Sequence, residues 1–169
     1  MVTNLLDASR LEAGGLTLSR HPQDLVELVG AVIDRLQARF AGRTVRVEMP
    51  EELPPVVCDY AQIDQVVMNL VENALLHTPP TAPVCARAMH VDGVVRVEVV
   101  DRGPGIPVAD RERVFRPFER GRTPAAGSGL GLTIARGFVE AHGGKLWLED
   151  APETGSRFVF TLPLQNGGM

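Results

Sequence analysis

A valine-rich hairpin that ends in an inward-facing carboxylate constrains the fold of this chain more than any other segment. Two strand-like segments, Val84–Val91 and Val94–Val100, meet at Asp92 and Gly93, a dipeptide typical of tight hairpin turns. Alternate valines of the second strand share one face, and Asp101 continues their parity. A carboxylate aimed at the core costs free energy unless it meets hydrogen-bond donors. The hairpin therefore predicts a sheet with one buried face and a polar site at its end.

Amphipathic helices are predicted before and after this hairpin, and each ends at glycines or at a proline-rich segment. They cover residues 2–13, 24–40, 60–76 and 129–142. Shorter strands are predicted at residues 45–49, 56–58, 145–149 and 156–162, and a short helix at 108–115 inside a long loop. Hairpins mixed with helices predict an α+β fold. We expect a two-layer α/β sandwich, with a mixed, mostly antiparallel sheet and helices on one face.

Composition excludes several classes of protein. The 169 residues carry 17 Lys and Arg against 21 Asp and Glu, a net charge of −4 that gives no electrostatic footprint for nucleic acid. No run approaches the roughly 18 apolar residues of a membrane span, and the N-terminus lacks a signal-peptide pattern, so we expect a cytoplasmic location. Cys58 and Cys85 form no metal-binding spacing with the four histidines, and both are predicted to be buried free thiols.

Two asparagines lie one turn apart on the shoulder of the third predicted helix. Asn69 and Asn73 are unusual there, because an asparagine amide competes for backbone hydrogen bonds inside a helix. Their amides either hydrogen-bond a neighbouring loop or turn their carbonyl oxygens toward a hard cation such as Mg²⁺. The sequence leaves both interpretations open.

A glycine-rich segment, residues 127–132, leads into the last predicted helix. Glycines at a helix N-terminus expose N–H groups at the positive end of the helix dipole, which favours phosphates. The segment is not a Walker loop, because it lacks the Gly-Lys-Ser/Thr ending. It is not a dinucleotide fingerprint either, because Leu132 stands where the third glycine belongs and no strand precedes it. Together with Asp101 and the two asparagines, it predicts a nucleotide site.

Four short motifs in a fixed order resemble those of the histidine kinases and the related GHKL ATPases, which share the Bergerat ATP-binding fold. They are the N box (residues 69–74), the first glycine box (101–105), the F box (114–118) and the second glycine box (127–132). Gly155 and residues 158–163 resemble the closing strand of the same family. The resemblance covers roughly residues 23–164. It implies the α+β sandwich predicted above and, as cofactors, ATP and Mg²⁺.

The resemblance assigns roles to residues by position. Asn73 is implied as the principal Mg²⁺ ligand, with Asn69 beside it directly or through water. Asp101 is implied to accept a hydrogen bond from the adenine amine. Phe115 and Phe118 are implied to anchor a mobile loop as an ATP lid. The other residues expected to contact the nucleotide are His77, Gly103, Gly105, Ile106, Arg120, Gly127, Ser128, Gly129, Leu130, Gly131, Leu132 and Thr161, with Arg122 as a weaker candidate.

One position departs from the family pattern. Leu76 stands where many relatives carry Lys or Arg. The phosphate contact that this basic residue would make is therefore expected from His77 or from the lid arginines. The alternative for His77 is a plain helix-terminal residue that the helix dipole favours.

The N-terminal segment resembles a different domain of the same proteins. Residues 4–14 are similar to the end of the second helix of the dimerisation and phosphoacceptor domain of sensor histidine kinases. We therefore expect residues 1–15 to be the truncated end of that helix and residues 16–22 to be a linker. Residues 23–165 are expected to form the catalytic ATP-binding domain, and residues 166–169 a tail. Two further stretches, 59–65 and 136–144, look most like the potassium-responsive KdpD kinases.

The acceptor histidine of the family is missing from these motifs. None of the four histidines has its context, an acidic neighbour and a following proline. The resemblance thus implies the catalytic domain of a protein-histidine kinase that binds Mg-ATP but does not autophosphorylate by itself. The implied partners are its own dimerisation domain and a response regulator. The full-length protein is expected to be a membrane-anchored homodimer, and this chain a monomer.

Two other functions are compatible with the same fold. One is a nucleotide-sensing or docking module without kinase turnover, and the other is a serine kinase of the anti-sigma type. Transfer of label from ATP to a separately supplied dimerisation domain distinguishes the histidine kinase from the module without turnover, and a phosphoserine product would identify the serine kinase.

Overall fold

The computed structural model of the chain describes residues 2–118 and 129–165. Its regular elements are, in order, α1 (Val2–Glu12), β1 (Arg20–Gln23), α2 (Leu25–Arg39), β2 (Val45–Glu48), β3 (Val56–Asp59), α3 (Tyr60–His77), β4 (Val84–Val91), β5 (Val94–Val100), α4 (Gly131–Ala141), β6 (Lys145–Asp150) and β7 (Ser156–Pro163). Two short 3-10 turns, Val108–Asp110 and Arg113–Phe115, take the place of the short helix predicted in the long loop. Within the described ranges, no helix is long and apolar enough to cross a membrane.

Five strands form the main sheet, in the order β2-β4-β5-β7-β6. Strand β2 runs parallel to β4, and the other neighbours are antiparallel. The inward side chains of the two central strands are almost completely buried: Val95, Val97, Val99, Phe158, Phe160 and Leu162. On the opposite face Arg96 pairs with Glu98 and Glu149, and Glu98 and Val159 are buried there as well. The strand pairing and the apolar core on one face confirm the predicted mixed, mostly antiparallel sheet.

Helices α2, α3 and α4 contribute their apolar stripes to the same core as the buried sheet face. Helix α2 begins where predicted, because the Asp24 carboxylate accepts hydrogen bonds from the backbone N–H groups of Val26 and Glu27. Its stripe is buried as the helical spacing predicts: Leu25, Leu28, Val29, Val32, Ile33 and Leu36. The α+β sandwich predicted from the sequence is therefore confirmed.

Strand β1 overlaps the second half of residues 16–22, the segment predicted to be a linker. Arg20–Gln23 pairs antiparallel with β3, with Arg20 opposite Asp59 and Gln23 opposite Val56. The strand was missed because its sequence, Arg-His-Pro-Gln, has no apolar alternation. Its place in the structure comes from pairing with β3 rather than from its own propensity.

Helix α1 packs against α4. The side chain of Leu11 lies so close to Gly137 that a Cβ added to this glycine would be 2.6 Å from a Leu11 methyl carbon. Ala8 and Leu11 are partly buried against the core, whereas Leu5 and Leu6 are more than half exposed. The segment predicted to come from another domain therefore rests on the catalytic fold.

A buried histidine joins the end of α4 to the start of α3. The Nδ1–H of His142 donates to the Phe138 carbonyl at 2.7 Å, and its Nε2 accepts from the Asp59 N–H at 3.0 Å. This pattern requires the neutral ring. Burial lowers the pKa of His142 below its ordinary value of 6.5, and the positive charge of Arg20 acts in the same direction. The Phe138 hydrogen bond and the charge of Asp59 oppose the shift only in part.

We expect the free energy of unfolding to fall as the pH drops below about 6.5, the pKa that histidine has in the unfolded chain. Below that pH His142 binds a proton in the unfolded chain but stays neutral in the folded one. The stability that is present above pH 6.5 is therefore lost as the pH falls toward the pKa of the folded state. Urea unfolding at pH 7.5 and pH 5.0 measures the change. His142→Gln should lose stability at pH 7.5 but show a smaller further loss at pH 5.0. An equal loss in both proteins would contradict this assignment.

Candidate functional site

Helix α3 carries three of the predicted site residues along one side. Asn69, Asn73 and His77 follow at intervals of four residues, so they span about 12 Å along the helix axis. The helix begins at Asp59, whose carboxylate accepts from the Gln62 N–H at 3.2 Å. Its buried stripe fixes the rotation of the helix, and the three residues therefore occupy its half-buried shoulder.

Asn69 hydrogen-bonds the N-terminus of α4 to α3. Its Nδ2 donates to the Gly131 carbonyl at 2.9 Å, and its Oδ1 accepts from Gln65 Nε2 at 2.8 Å. This is the contact to a neighbouring segment that the sequence allowed as one of two interpretations. The amide oxygen of Asn69 is already engaged, so this residue positions the glycine-rich segment beside α3.

Asn73 is in a different situation one turn further along. Within the described residues, its side-chain amide makes no hydrogen bond, although the residue is half-buried. The described part of the chain also has no group of three or more His, Cys, Asp or Glu side chains that could hold a metal ion. A cation here would therefore need amide oxygen together with oxygens from a bound ligand, the mode in which Mg²⁺ binds phosphates in proteins. The free amide oxygen of Asn73 fits that chemistry.

Asp101 is 4% exposed and receives two backbone hydrogen bonds on one oxygen. Its Oδ1 accepts from the Gly103 N–H at 2.9 Å and from the Ser156 N–H at 3.1 Å. Burial raises the pKa of this carboxyl, while the two hydrogen bonds and the nearby charge of His77 oppose the shift. No described residue donates to the second oxygen, Oδ2. The site thus offers a buried acceptor to a donor from a ligand.

Two glycines allow the backbone to close around this carboxylate. A Cβ at Gly103 would lie 2.7 Å from the His77 carbonyl oxygen. Gly155 has a φ of +121°, and a Cβ there would lie 1.9 Å from the Asp101 carbonyl oxygen. The first glycine box, the end of α3 and the start of β7 therefore meet at distances that only glycine permits. Gly105, with a φ of +77°, also approaches Gly155: a Cβ on Gly105 would lie 3.1 Å from the Gly155 carbonyl oxygen.

The other end of the site is the N-terminus of α4. Leu130 occupies the N-cap position and is 1% exposed, and its own side chain makes no capping hydrogen bond. Gly129 has a φ of +74°, and its carbonyl accepts from the Phe118 N–H at 3.0 Å. A Cβ at Gly129 would lie 2.8 Å from the Phe118 Cα. The N-terminus of a helix carries the positive end of the helix dipole, so this end of the site is suited to bind an anionic group.

The F box is held to α4 through Phe115. This ring is 5% exposed, meets Phe158 edge-on at 6.2 Å and lies 4.8 Å from the guanidinium carbon of Arg136. The Phe115 carbonyl also accepts from the Thr133 hydroxyl at 2.7 Å. Phe118, by contrast, is 65% exposed, and its backbone N–H donates to the Gly129 carbonyl two residues before α4. The two phenylalanines therefore differ in how they are held.

The remaining predicted residues fall into two groups. Ile106 and Leu132 are partly buried against the core at the edges of the site. Arg120, Arg122, Gly127 and Ser128 lie outside the described residues.

Thr161 is not brought to this site, and its prediction is corrected. The register of β5 and β7 pairs Thr161 with Arg96, five residues before Asp101, which is about 17 Å along a strand. Its hydroxyl instead accepts from the Lys145 N–H at 3.3 Å. The residue that meets Asp101 is Ser156, whose backbone exchanges hydrogen bonds with both the carboxylate and the N–H of Asp101. Its position directly after Gly155 was the signal in the sequence.

Comparison with known proteins agrees with this geometry. Residues 58–166 match the family model described as histidine kinase-, DNA gyrase B- and HSP90-like ATPase. The chain is 35% identical over 175 residues to the adaptive-response sensory kinase SasA of Synechococcus sp. strain CC9311, covering 96% of this chain and 45% of that relative. It is also 35% identical over 168 residues to the sensor protein KdpD of Escherichia coli K12, covering 98% of this chain and 19% of that protein.

A solved structure gives the same result. Full-length ShkA in complex with AMPPNP superposes with a TM-score of 0.85 at 30% identity, covering 96% of this chain and 35% of that one. The chain spans less than half the length of the curated relatives described above.

Proposed function

Because the chain belongs to the family of histidine kinase-, DNA gyrase B- and HSP90-like ATPases, we propose that it is the ATP-binding catalytic domain of a protein-histidine kinase. It binds ATP together with Mg²⁺ and donates the γ-phosphoryl group to a histidine on a dimerisation and phosphoacceptor domain. The observation that supports this best is the course of α3. This helix carries Asn73 on the same side as Asn69, meets the Gly103 backbone at its His77 end and is hydrogen-bonded through Asn69 to Gly131 at the start of α4.

The adenine end of the proposed site is the Asp101 pocket. Oδ2 accepts from the exocyclic amine of adenine, while Oδ1 stays with its two backbone donors. Gly103 and Gly155 keep this pocket free of side chains. The buried acceptor is fixed before the ligand arrives, so the base binds without reorganising the protein.

The phosphate end lies between α3 and α4. The N–H groups at the start of α4 bind the phosphates, and the Asn73 amide oxygen faces the cation that accompanies them. Asn69 does not need to be a direct ligand, because it holds Gly131 and hence the phosphate-binding turn against α3. Bound Mg²⁺ would neutralise charge on the transferring phosphoryl group.

The chemistry of the chain is positioning rather than covalent catalysis. A ring nitrogen of the acceptor histidine forms a bond to the γ-phosphorus, the bond from that phosphorus to the bridging oxygen breaks, and ADP leaves. His142 is excluded as acceptor because it is buried and both of its nitrogens are hydrogen-bonded. We propose that the acceptor stands on the domain of which residues 1–15 resemble the end.

The wider setting follows from the relatives and is also a proposal. The chain acts in a two-component system with a response regulator, inside the cytoplasm, as part of a longer homodimeric kinase. The identities to SasA and KdpD are equal at 35%. Potassium sensing therefore has no more support than the function of SasA, and the KdpD-like motifs predict no particular stimulus.

Label transfer tests the proposed activity. The chain is mixed with ATP labelled at the γ-phosphate, Mg²⁺ and a dimerisation and phosphoacceptor domain from the SasA relative. We expect acid-labile phosphohistidine on the added domain and none on the chain alone. Phosphoserine would instead identify a kinase of the anti-sigma type. ATP binding without transfer to phosphoacceptor domains from SasA, KdpD or ShkA would favour the nucleotide-sensing module.

A further inference from the structure

Arg43, in the turn between α2 and β2, reaches across the fold to the end of α3. Its Nη1 donates to the Leu75 carbonyl at 2.7 Å, and its Nη2 donates to the Thr78 hydroxyl at 2.8 Å. The Thr78 hydroxyl in turn donates to the Ala74 carbonyl at 2.6 Å. The last four carbonyls of a helix have no partner within the helix, and these bonds satisfy two of them, those of Ala74 and Leu75. The guanidinium charge also suits the negative end of the helix dipole.

The helix end that Arg43 holds is a wall of the Asp101 pocket. His77 lies between Leu75 and Thr78, and its carbonyl oxygen would be 2.7 Å from a Cβ at Gly103. The charge of His77 also acts on Asp101. A small displacement of this turn would therefore move the first glycine box, because there is no spare room between the two backbones.

Arginine is needed for both contacts at once. Its planar fork presents two nitrogens to two acceptors, whereas a lysine ammonium offers one charged point. The Arg43 Nε is buried and makes no hydrogen bond with the described residues. The guanidinium thus makes its two terminal contacts although its third donor, the Nε–H, stays buried without an acceptor among the described residues. A surface arginine would donate that N–H to water.

We infer that Arg43 is a positioning residue for the adenine end of the site, and that it acts through Thr78 and the last turn of α3. The inference rests on the proposed function, since it concerns the affinity for ATP. Arg43 touches no ligand in this account. Its effect should therefore be limited to the base-binding pocket, whose wall residue His77 follows Asn73 by four residues, just over one helical turn.

The test compares ATP affinities of the whole chain by calorimetry, with and without Mg²⁺. Arg43→Met should weaken ATP binding about 10-fold and Arg43→Lys about 3-fold, since lysine restores one contact. The ratio of the affinities with and without Mg²⁺ should stay at its wild-type value. Arg35→Met is the matched control, because it removes an ion pair between α2 and α3, with Asp64, at the far end of α3. It should lower thermal stability without weakening ATP binding.

Thr78→Val provides a second test that conserves shape. It removes only the hydroxyl that links Arg43 to Ala74, so it should weaken ATP binding as Arg43→Met does, and the double variant should add little. The inference is overturned if the wild type binds ATP and Thr78→Val or a folded Arg43→Met binds it equally well. It is also overturned if Arg35→Met loses as much affinity as Arg43→Met. A wild type that binds no ATP would end the proposed function and this inference together.

Discussion

Replacing Asn73 by alanine is expected to remove the Mg²⁺-dependent part of ATP binding while the fold stays intact. The amide makes no hydrogen bond with the described residues, so its loss leaves no partner unsatisfied. Alanine is also the better helix former at this position in α3. The loss of the oxygen that faces the cation should weaken Mg-ATP binding by roughly 100-fold, at the upper end of what is seen for residues that only support a metal ligand.

Calorimetric titration with ATP, with and without Mg²⁺, measures this effect. The expected result is a variant whose ATP affinity no longer responds to Mg²⁺ and whose thermal unfolding matches that of the wild type. Asn69→Ala is the control on the same helix, because it removes two hydrogen bonds and so should lower the melting temperature. If ATP binding by Asn73→Ala responds to Mg²⁺ as the wild type does, Asn73 is not the residue that faces the cation.

Asp101→Asn is expected to prevent adenine binding without unfolding the pocket. The asparagine carbonyl can keep the two bonds that Oδ1 accepts from Gly103 and Ser156. The amide nitrogen then replaces Oδ2 and presents a donor to the adenine amine, which is itself a donor. A buried hydrogen bond to a charged group contributes about 1.5–3 kcal/mol, and opposing donors add to the loss. We therefore expect ATP affinity to fall roughly 100-fold.

The same titration reports the result, and Asp150→Asn is a control with the same chemical change. Asp150 is exposed and pairs with Arg111 at the end of β6, so its substitution should leave ATP binding unchanged. Near-wild-type affinity in Asp101→Asn, or an equal loss in Asp150→Asn, would contradict the role given to Asp101.

Sequence periodicity predicted the helices and the main sheet because each element carries its own apolar pattern. Strand β1 has no such pattern and exists only through pairing with β3, so local reasoning could not find it. Thr161 was misplaced for a related reason. Which residue of β7 meets Asp101 depends on the register between strands that are more than 50 residues apart in the sequence, and the only sequence signal for Ser156 was its place directly after Gly155.

The sequence predicted a nucleotide site, but it did not predict which role each residue of the site has. Asn69 and Asn73 look equivalent in the sequence of a helix. They differ in the structure because Gly131 lies beside Asn69 and accepts a hydrogen bond from its amide. Arg43 gave no signal, because a single arginine in a turn is ordinary and its acceptors lie 32 and 35 residues away. Contacts between distant side chains are what the sequence left undetermined.

The most direct test of the central claim is a calorimetric titration of the wild-type chain with ATP and with GTP, each in the presence and absence of Mg²⁺. We expect one ATP bound per chain, with tighter binding when Mg²⁺ is present. We expect little binding of GTP, because guanine places a carbonyl oxygen where adenine has its amine, opposite the Asp101 carboxylate. No heat from Mg-ATP, or equal affinity for the two nucleotides, would contradict the proposed ATP site.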